Sequence, residues 1–184
     1  DVYKRQFEGL MLPANQDISA RITTPANLTI GAYHDINDKW SVMAEFGRTY
    51  WSSFDTLDIY GENNGKMSTT EERWKDTTFY AIGASYQYND QWKFRVGFAV
   101  DQSAVGQEYR TPRIPDSDRL WYSSGIEYKY NDDWTFNLGY TYIRADKGKV
   151  KLLGYHDGDN ARGSLQADYE NDIHILGFGA SYNF

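Results

Sequence analysis

Apolar residues alternate with small or polar ones along most of this chain, with a period of two. The last ten residues show the pattern clearly. Leu176, Phe178, Ala180, Tyr182 and Phe184 fall on one face, and Ile175, Gly177, Gly179, Ser181 and Asn183 on the other. Strict alternation of this kind predicts β-strands. Seven are predicted: about Ala26 to Asp35 (with a start as early as Ile18), Trp40 to Tyr60, Trp74 to Tyr88, Trp92 to Asp101, Arg119 to Tyr130, Trp134 to Asp146, and Asp168 to Phe184. Trp92, Phe94, Val96, Phe98 and Val100 oppose Lys93, Arg95, Gly97, Ala99 and Asp101. Trp134, Phe136, Leu138, Tyr140 and Tyr142 oppose Thr135, Asn137, Gly139 and Thr141.

A repeat organises the strands into hairpins. Asn37-Asp38-Lys39-Trp40, Asn89-Asp90-Gln91-Trp92 and Asn131-Asp132-Asp133-Trp134 share the form Asn-Asp-x-Trp. Asn and Asp suit tight turns, because they tolerate left-handed backbone and bond their own main chain. Each unit therefore predicts a hairpin tip, with Tyr and Trp beside it forming an aromatic girdle. The other connections, Gly61 to Arg73, Gln102 to Asp118 and Lys147 to Ala167, are longer and polar. Short turns at one end and long loops at the other are the asymmetry of outer-membrane barrels.

Composition then decides which face meets what. The 184 residues include 16 Tyr, 9 Phe and 6 Trp, yet only 40% are hydrophobic, and the mean hydropathy is −0.73. A membrane helix needs about 20 apolar residues in a row, whereas a barrel strand needs about 9–11 with every second one apolar. A soluble barrel alternates too. Three features favour a transmembrane barrel with the apolar face outward: aromatics gather beside the turns, the polar face carries Gly, Ala and Ser with few charges, and the chain ends on an aromatic strand. A net charge of −7 argues against a nucleic-acid partner, and the absence of cysteine excludes disulfides and thiolate metal sites.

The stretch Ile114-Pro115-Asp116-Ser117-Asp118-Arg119-Leu120-Trp121-Tyr122-Ser123-Ser124-Gly125 resembles the I-P-D-x-D-R-x-W-x-S-x-G motif of the long-chain fatty acid transporter family of outer-membrane proteins, which includes toluene and xylene channels. Asn27 to Tyr33, Tyr50-Trp51-Ser52-Ser53-Phe54 and Asp90 to Gly97 are similar to further segments of that family. The resemblance implies a fourteen-stranded antiparallel barrel plugged by an N-terminal hatch. Residues 18–184 would be its C-terminal half, and residues 1–17 an ill-defined loop or sequence artefact. The chain reads as starting inside a longer protein. The resemblance further implies a bacterial outer-membrane channel for passive uptake of long-chain fatty acids or other hydrophobic small molecules. Its partners would be the lipid bilayer, that ligand and the outer-membrane assembly machinery, and the complete protein would be a monomer. A general polar porin or structural barrel is the alternative reading.

Candidate residues follow. Asp116, Asp118, Arg119 and Trp121 carry the motif; a capped turn with Asp–Arg pairing is the structural reading, and a carboxylate contact at Arg119 the functional one. Glu45, Lys93, Arg95, Glu127 and Lys129 share the lumen face. They form either a paired network filling the wall or, through Lys93 or Arg95, an attraction for a ligand carboxylate. Lys93 and Lys129 also lie near the turns, where water is an alternative partner. Phe178, Tyr182 and Phe184 resemble the aromatic C-terminal assembly signal of outer-membrane barrels. His34, His156 and His174 mark no triad spacing, so no enzyme, catalytic residue, metal or cofactor is predicted. The acidic Asp157-Gly158-Asp159-Asn160 reads as a solvated turn.

Overall fold

The computed structural model describes residues 17–61, 65–153 and 164–184. The acidic segment around Asp157, and His156, lie outside the described residues, as do positions 1–16. Seven strands form one antiparallel sheet: β2 (Asn27–Asp35), β3 (Trp40–Thr49), β6 (Thr77–Gln87), β7 (Trp92–Asp101), β8 (Arg119–Lys129), β9 (Trp134–Ala145) and β12 (Asp172–Tyr182). Their order is β12-β9-β8-β7-β6-β3-β2, so each strand pairs with its neighbours in the chain. Among the described residues no helix is long and apolar enough to cross a membrane, which leaves crossing by strands open.

Shorter strands continue the sheet's loop end. β1 (Ser19–Ala20), β4 (Thr56–Tyr60) and β5 (Lys66–Glu71) make a three-stranded sheet, and β10 (Gly148–Leu152) pairs with β11 (Leu165–Tyr169). The structure thereby corrects the sequence reading in three places. The second predicted strand stops at Thr49, where a 3-10 turn at Trp51–Ser53 redirects the chain into β4. Two of the three predicted loops contain hairpin strands. The last predicted strand is broken after Tyr169, and its first part pairs with β10 instead of β9. β12 itself ends at Tyr182, so Phe184 lies beyond the strand, with its ring 5.0 Å from Tyr182 and perpendicular to it.

The three Asn-Asp-x-Trp units build the same turn. The Asn37 Oδ1 accepts from the amides of Lys39 (2.9 Å) and Trp40 (3.0 Å). Asn89 does so for Gln91 (3.0 Å) and Trp92 (2.9 Å), and Asn131 for Asp133 (3.1 Å) and Trp134 (2.7 Å). The residue after each Asn-Asp pair then ties the turn to the next hairpin: the carbonyls of Lys39, Gln91 and Asp133 accept from the amides of Gln87, Lys129 and Asn183. The Trp of each unit meets a Tyr of that next hairpin. Ring centroids are 4.6 Å apart for Trp40–Tyr86, 4.4 Å for Trp92–Tyr128 and 4.9 Å for Trp134–Tyr182. Repetition in sequence is thus repetition of a joint between neighbouring hairpins.

Register carries the alternation across the whole sheet. One row runs His34, Val42, Ala84, Val96, Ser124, Tyr140 and Leu176, and the next runs Ala32, Ala44, Ile82, Phe98, Tyr122, Tyr142 and His174. The apolar face is the exposed one. Leu176 and Phe178 are 74% and 75% exposed, and Ile82 and Val96 are 64% and 62% exposed, whereas Ala99 and Ser85 on the other face are buried. Contiguous exposed apolar surface of this extent calls for an apolar neighbour. The buried side chains gather at the loop end, where Phe54, Ala104, Val105, Ile143, Val150 and Leu152 all lie below 9% exposure. Trp74 stands edge-on to both Trp51 and Phe54, at 4.9 Å.

The Trp–Tyr joints predict energetic coupling between hairpins. A double-mutant cycle on Trp92→Ala and Tyr128→Ala in the refolded full-length protein is expected to give about 0.5–1.5 kcal/mol of interaction energy in denaturant unfolding.

Candidate functional site

The face opposite the apolar one divides into three levels. Nearest the Asn-Asp turns it is charged. Arg95 pairs with Glu127 of the adjacent strand and donates to the Asn137 Oδ1 at 3.4 Å. Lys93 stands opposite Glu127 in register, but Arg95 takes that carboxylate. Lys93 makes no ion pair among the described residues, and neither does Glu45, which lies higher on β3, opposite Ala81. Lys129 does not join a lumen network; it turns to Asp132 of its own hairpin tip, at 2.8 Å. Tyr33, Asp35 and Ser41 interlock close by, with the Tyr33 hydroxyl donating to Asp35 at 2.6 Å.

The middle level is flat. Gly83, Gly97 and Ser123 share one register row, and Gly125, Gly139 and Gly177 the row below it. The third level, towards the loops, is apolar. Ala81, Ala99, Trp121, Ile143 and Ile173 align across five strands, with Phe79 above Ala81 and Ile175 beside Ile173. This strip is the feature that the sequence reading missed. Trp121 and Ile175 share the face that carries Gly, Ala and Ser, and the periodicity of each strand taken alone gives no sign that their apolar residues coincide in height.

The Asp116–Arg119 segment closes the strip at the loop end. Arg119 spans two carboxylates, Asp101 at 3.0 Å and Asp116 at 3.1 Å. The Ser103 hydroxyl donates to Asp116 and its amide to Asp118, both at 2.8 Å. The Ser117 hydroxyl donates to the Asp146 carbonyl at 2.6 Å, and the Asp146 amide to the Asp118 carbonyl at 2.8 Å. Arg110, which is buried, completes the clasp. Its guanidinium donates to the carbonyls of Asp116 (2.6 Å), Lys149 (3.1 Å) and Val105 (3.4 Å), and it makes no ion pair among the described residues. A charged group held by three carbonyls fixes segment 102–118 against β10. On the far side of the sheet, the Ser52 hydroxyl and amide hold the Asp76 carboxyl below its ordinary value of 3.8, and Asp76 in turn pairs with Arg48 at 3.3 Å. No group of three or more metal-ligating side chains occurs among the described residues.

Residues 3–184 match the family model described as outer membrane protein transport protein (OMPP1/FadL/TodX). The chain belongs to this family. It is 29% identical over 171 residues to a long-chain fatty acid transport protein of Escherichia coli O6:H1, covering 93% of this chain and 36% of that protein. It is also 29% identical over 180 residues to outer membrane protein P1 of Haemophilus influenzae, covering 96% of this chain and 39% of that protein. A crystal structure of a Pseudomonas aeruginosa FadL homologue superposes with a TM-score of 0.82 at 28% identity, over 90% of this chain and 37% of the other. The fold of the Pseudomonas putida toluene transporter TodX matches with a TM-score of 0.61 at 24% identity, over 92% of this chain and 37% of that one. The chain thus spans little more than a third of the relatives it matches. It is a partial antiparallel barrel of the OMPP1/FadL/TodX family of outer membrane transport proteins, located in the bacterial outer membrane.

The clasp predicts a local effect. Arg110→Gln in the full-length protein is expected to leave the barrel folded and to speed tryptic cleavage after Arg113, which is exposed in the clasped loop. Unchanged cleavage would show that the three carbonyl bonds do not hold the loop.

Proposed function

We propose that the complete protein is a passive channel for hydrophobic small molecules, of which residues 18–184 form the C-terminal half of the wall. The apolar strip of Ala81, Ala99, Trp121, Ile143 and Ile173 on the enclosed face carries this reading. A water-filled porin has no use for such a strip, because its lumen is polar. A hydrocarbon chain, by contrast, gains about 25 cal/mol for each Å² of apolar surface it removes from water. The Escherichia coli relative is a long-chain fatty acid transport protein, which supports a hydrophobic ligand here.

Lys93 makes no ion pair among the described residues and shares a polar recess with Asp35; we assign it the role of drawing a fatty acid headgroup towards the turn end. Arg95 and Arg119 are already paired, which places them behind Lys93 as ligand groups and makes them wall-stiffening residues first. The aromatic residues Phe178, Tyr182 and Phe184 are proposed to serve recognition by the assembly machinery. The complete protein is proposed to act as a monomer.

Uptake by cells carrying the full-length protein tests this. Labelled oleate and toluene are expected to enter faster than in cells lacking it, while liposomes containing it do not swell in sugars. Trp121→Glu or Ile173→Asp is expected to reduce both uptakes about tenfold, through lost apolar contact of about 1–2 kcal/mol. Lys93→Gln is expected to slow oleate and spare toluene. Sugar flux without oleate or toluene uptake would replace the hydrophobic channel by a polar porin.

A further inference from the structure

The apolar outer face carries a polar group on β8, β9 and β12. Tyr122, Ser124, Tyr140, Tyr142 and His174 line a concavity of about 540 Å³ on β8, β9 and β12. The Tyr140 hydroxyl meets the His174 Nδ1 at 2.7 Å, and the Tyr142 hydroxyl donates to Asp172 at 3.0 Å. Arg144 stands two residues above Tyr142 on the same face, exposed, and is paired in register with Asp172. Asp172 accepts from Tyr142, and Arg144 makes no ion pair among the described residues.

Height along the membrane normal gives this group its meaning. Trp134 marks the turn-end girdle, and Arg144 follows ten positions later on β9. At about 3.3 Å per residue and a tilt of about 40°, the separation is about 25 Å. That equals the height of the apolar band of an outer-membrane barrel, about 25 Å. Arg144 therefore emerges where the outer leaflet's headgroups begin, and the tyrosine–histidine notch lies just below it, at the level of the uppermost acyl carbons. The contrast with Arg48 is informative. Arg48 also faces outward at the loop end of its strand, but Asp76 neutralises it at 3.3 Å. Among the described residues, Arg48 is thus answered by a carboxylate and Arg144 is not.

We propose that Arg144, with the His174–Tyr142 notch beneath it, binds the phosphate of an outer-leaflet glycolipid. The guanidinium takes the phosphate oxygens as a fork of donors. The tyrosine rings and hydroxyls receive the glycolipid's polar linkage and first methylenes, as aromatic residues do at membrane interfaces. The site is on the outside of the wall, and its failure would leave the transport reading intact.

Native mass spectrometry of the detergent-purified full-length protein tests the assignment, with lipid A as the phosphate-bearing probe and phosphatidylcholine as the control. The wild type is expected to retain lipid A in preference to phosphatidylcholine. Arg144→Gln is expected to weaken retention about fivefold, the worth of one basic residue at an anionic lipid surface. Arg48→Gln is expected to leave it unchanged, and each variant's gel mobility before and after boiling reports that the barrel is folded. Equal retention by the Arg144 variant, or equal loss in the Arg48 variant, overturns the site. Displacement of lipid A by inorganic phosphate alone overturns the lipid assignment.

Discussion

The structure depends on an inversion of the usual burial rule. In a soluble protein the apolar side of a half-covered sheet is hidden and the polar side faces water. Here the apolar side, from Ile30 and Ile82 to Val96 and Phe178, is the exposed one, while Ala99 and Ser85 on the opposite side are buried. Water cannot stabilise that arrangement, but hydrocarbon does. Every other feature follows from the choice of solvent. The strands need apolar residues at alternate positions only, the enclosed face is free to vary its chemistry by level, and a hydrophilic average composition coexists with a membrane wall.

The two ends of the wall are built by different means. At the turn end a four-residue unit is used three times, and each copy combines an asparagine-anchored turn with a tryptophan that packs on the following hairpin. At the loop end nothing repeats. A small core of Phe54, Val105, Val150 and Leu152 is held by Arg110 and by the Asp116–Arg119 motif, which join segments far apart in the chain. Rigidity at the turn end is local and modular; at the loop end it comes from long-range polar bonds.

That difference explains what could be read from the sequence. The seven wall strands were legible because alternation and the Asn-Asp-x-Trp unit are local signals, and β7 matches its predicted bounds of Trp92 and Asp101 at both ends. The strands β5 and β10 were not legible, since Lys-Met-Ser-Thr-Thr-Glu and Gly-Lys-Val-Lys-Leu carry too little apolar contrast in stretches of five or six residues. Arg110 was invisible for another reason: its partners are main-chain carbonyls, one of them 39 positions away, and no residue type marks them. The apolar strip around Trp121 needed register, because it is a property of five strands together and of none singly. The charged residues were identified by face, but their pairing was not: parity placed Arg95, Glu127 and Lys129 together, whereas only geometry shows that Lys129 belongs to its own turn.

The count of wall strands has a topological consequence. Seven is odd, so the two outermost strands, β2 and β12, run in the same direction. Each also presents a row of main-chain groups that nothing in the described residues engages, a condition hydrocarbon does not tolerate. Bringing those two borders together would create a parallel seam, and so would a second copy inserted with the same polarity. Antiparallel closure therefore takes an insert of odd strand number whose flanking strands both point from the turn side to the loop side.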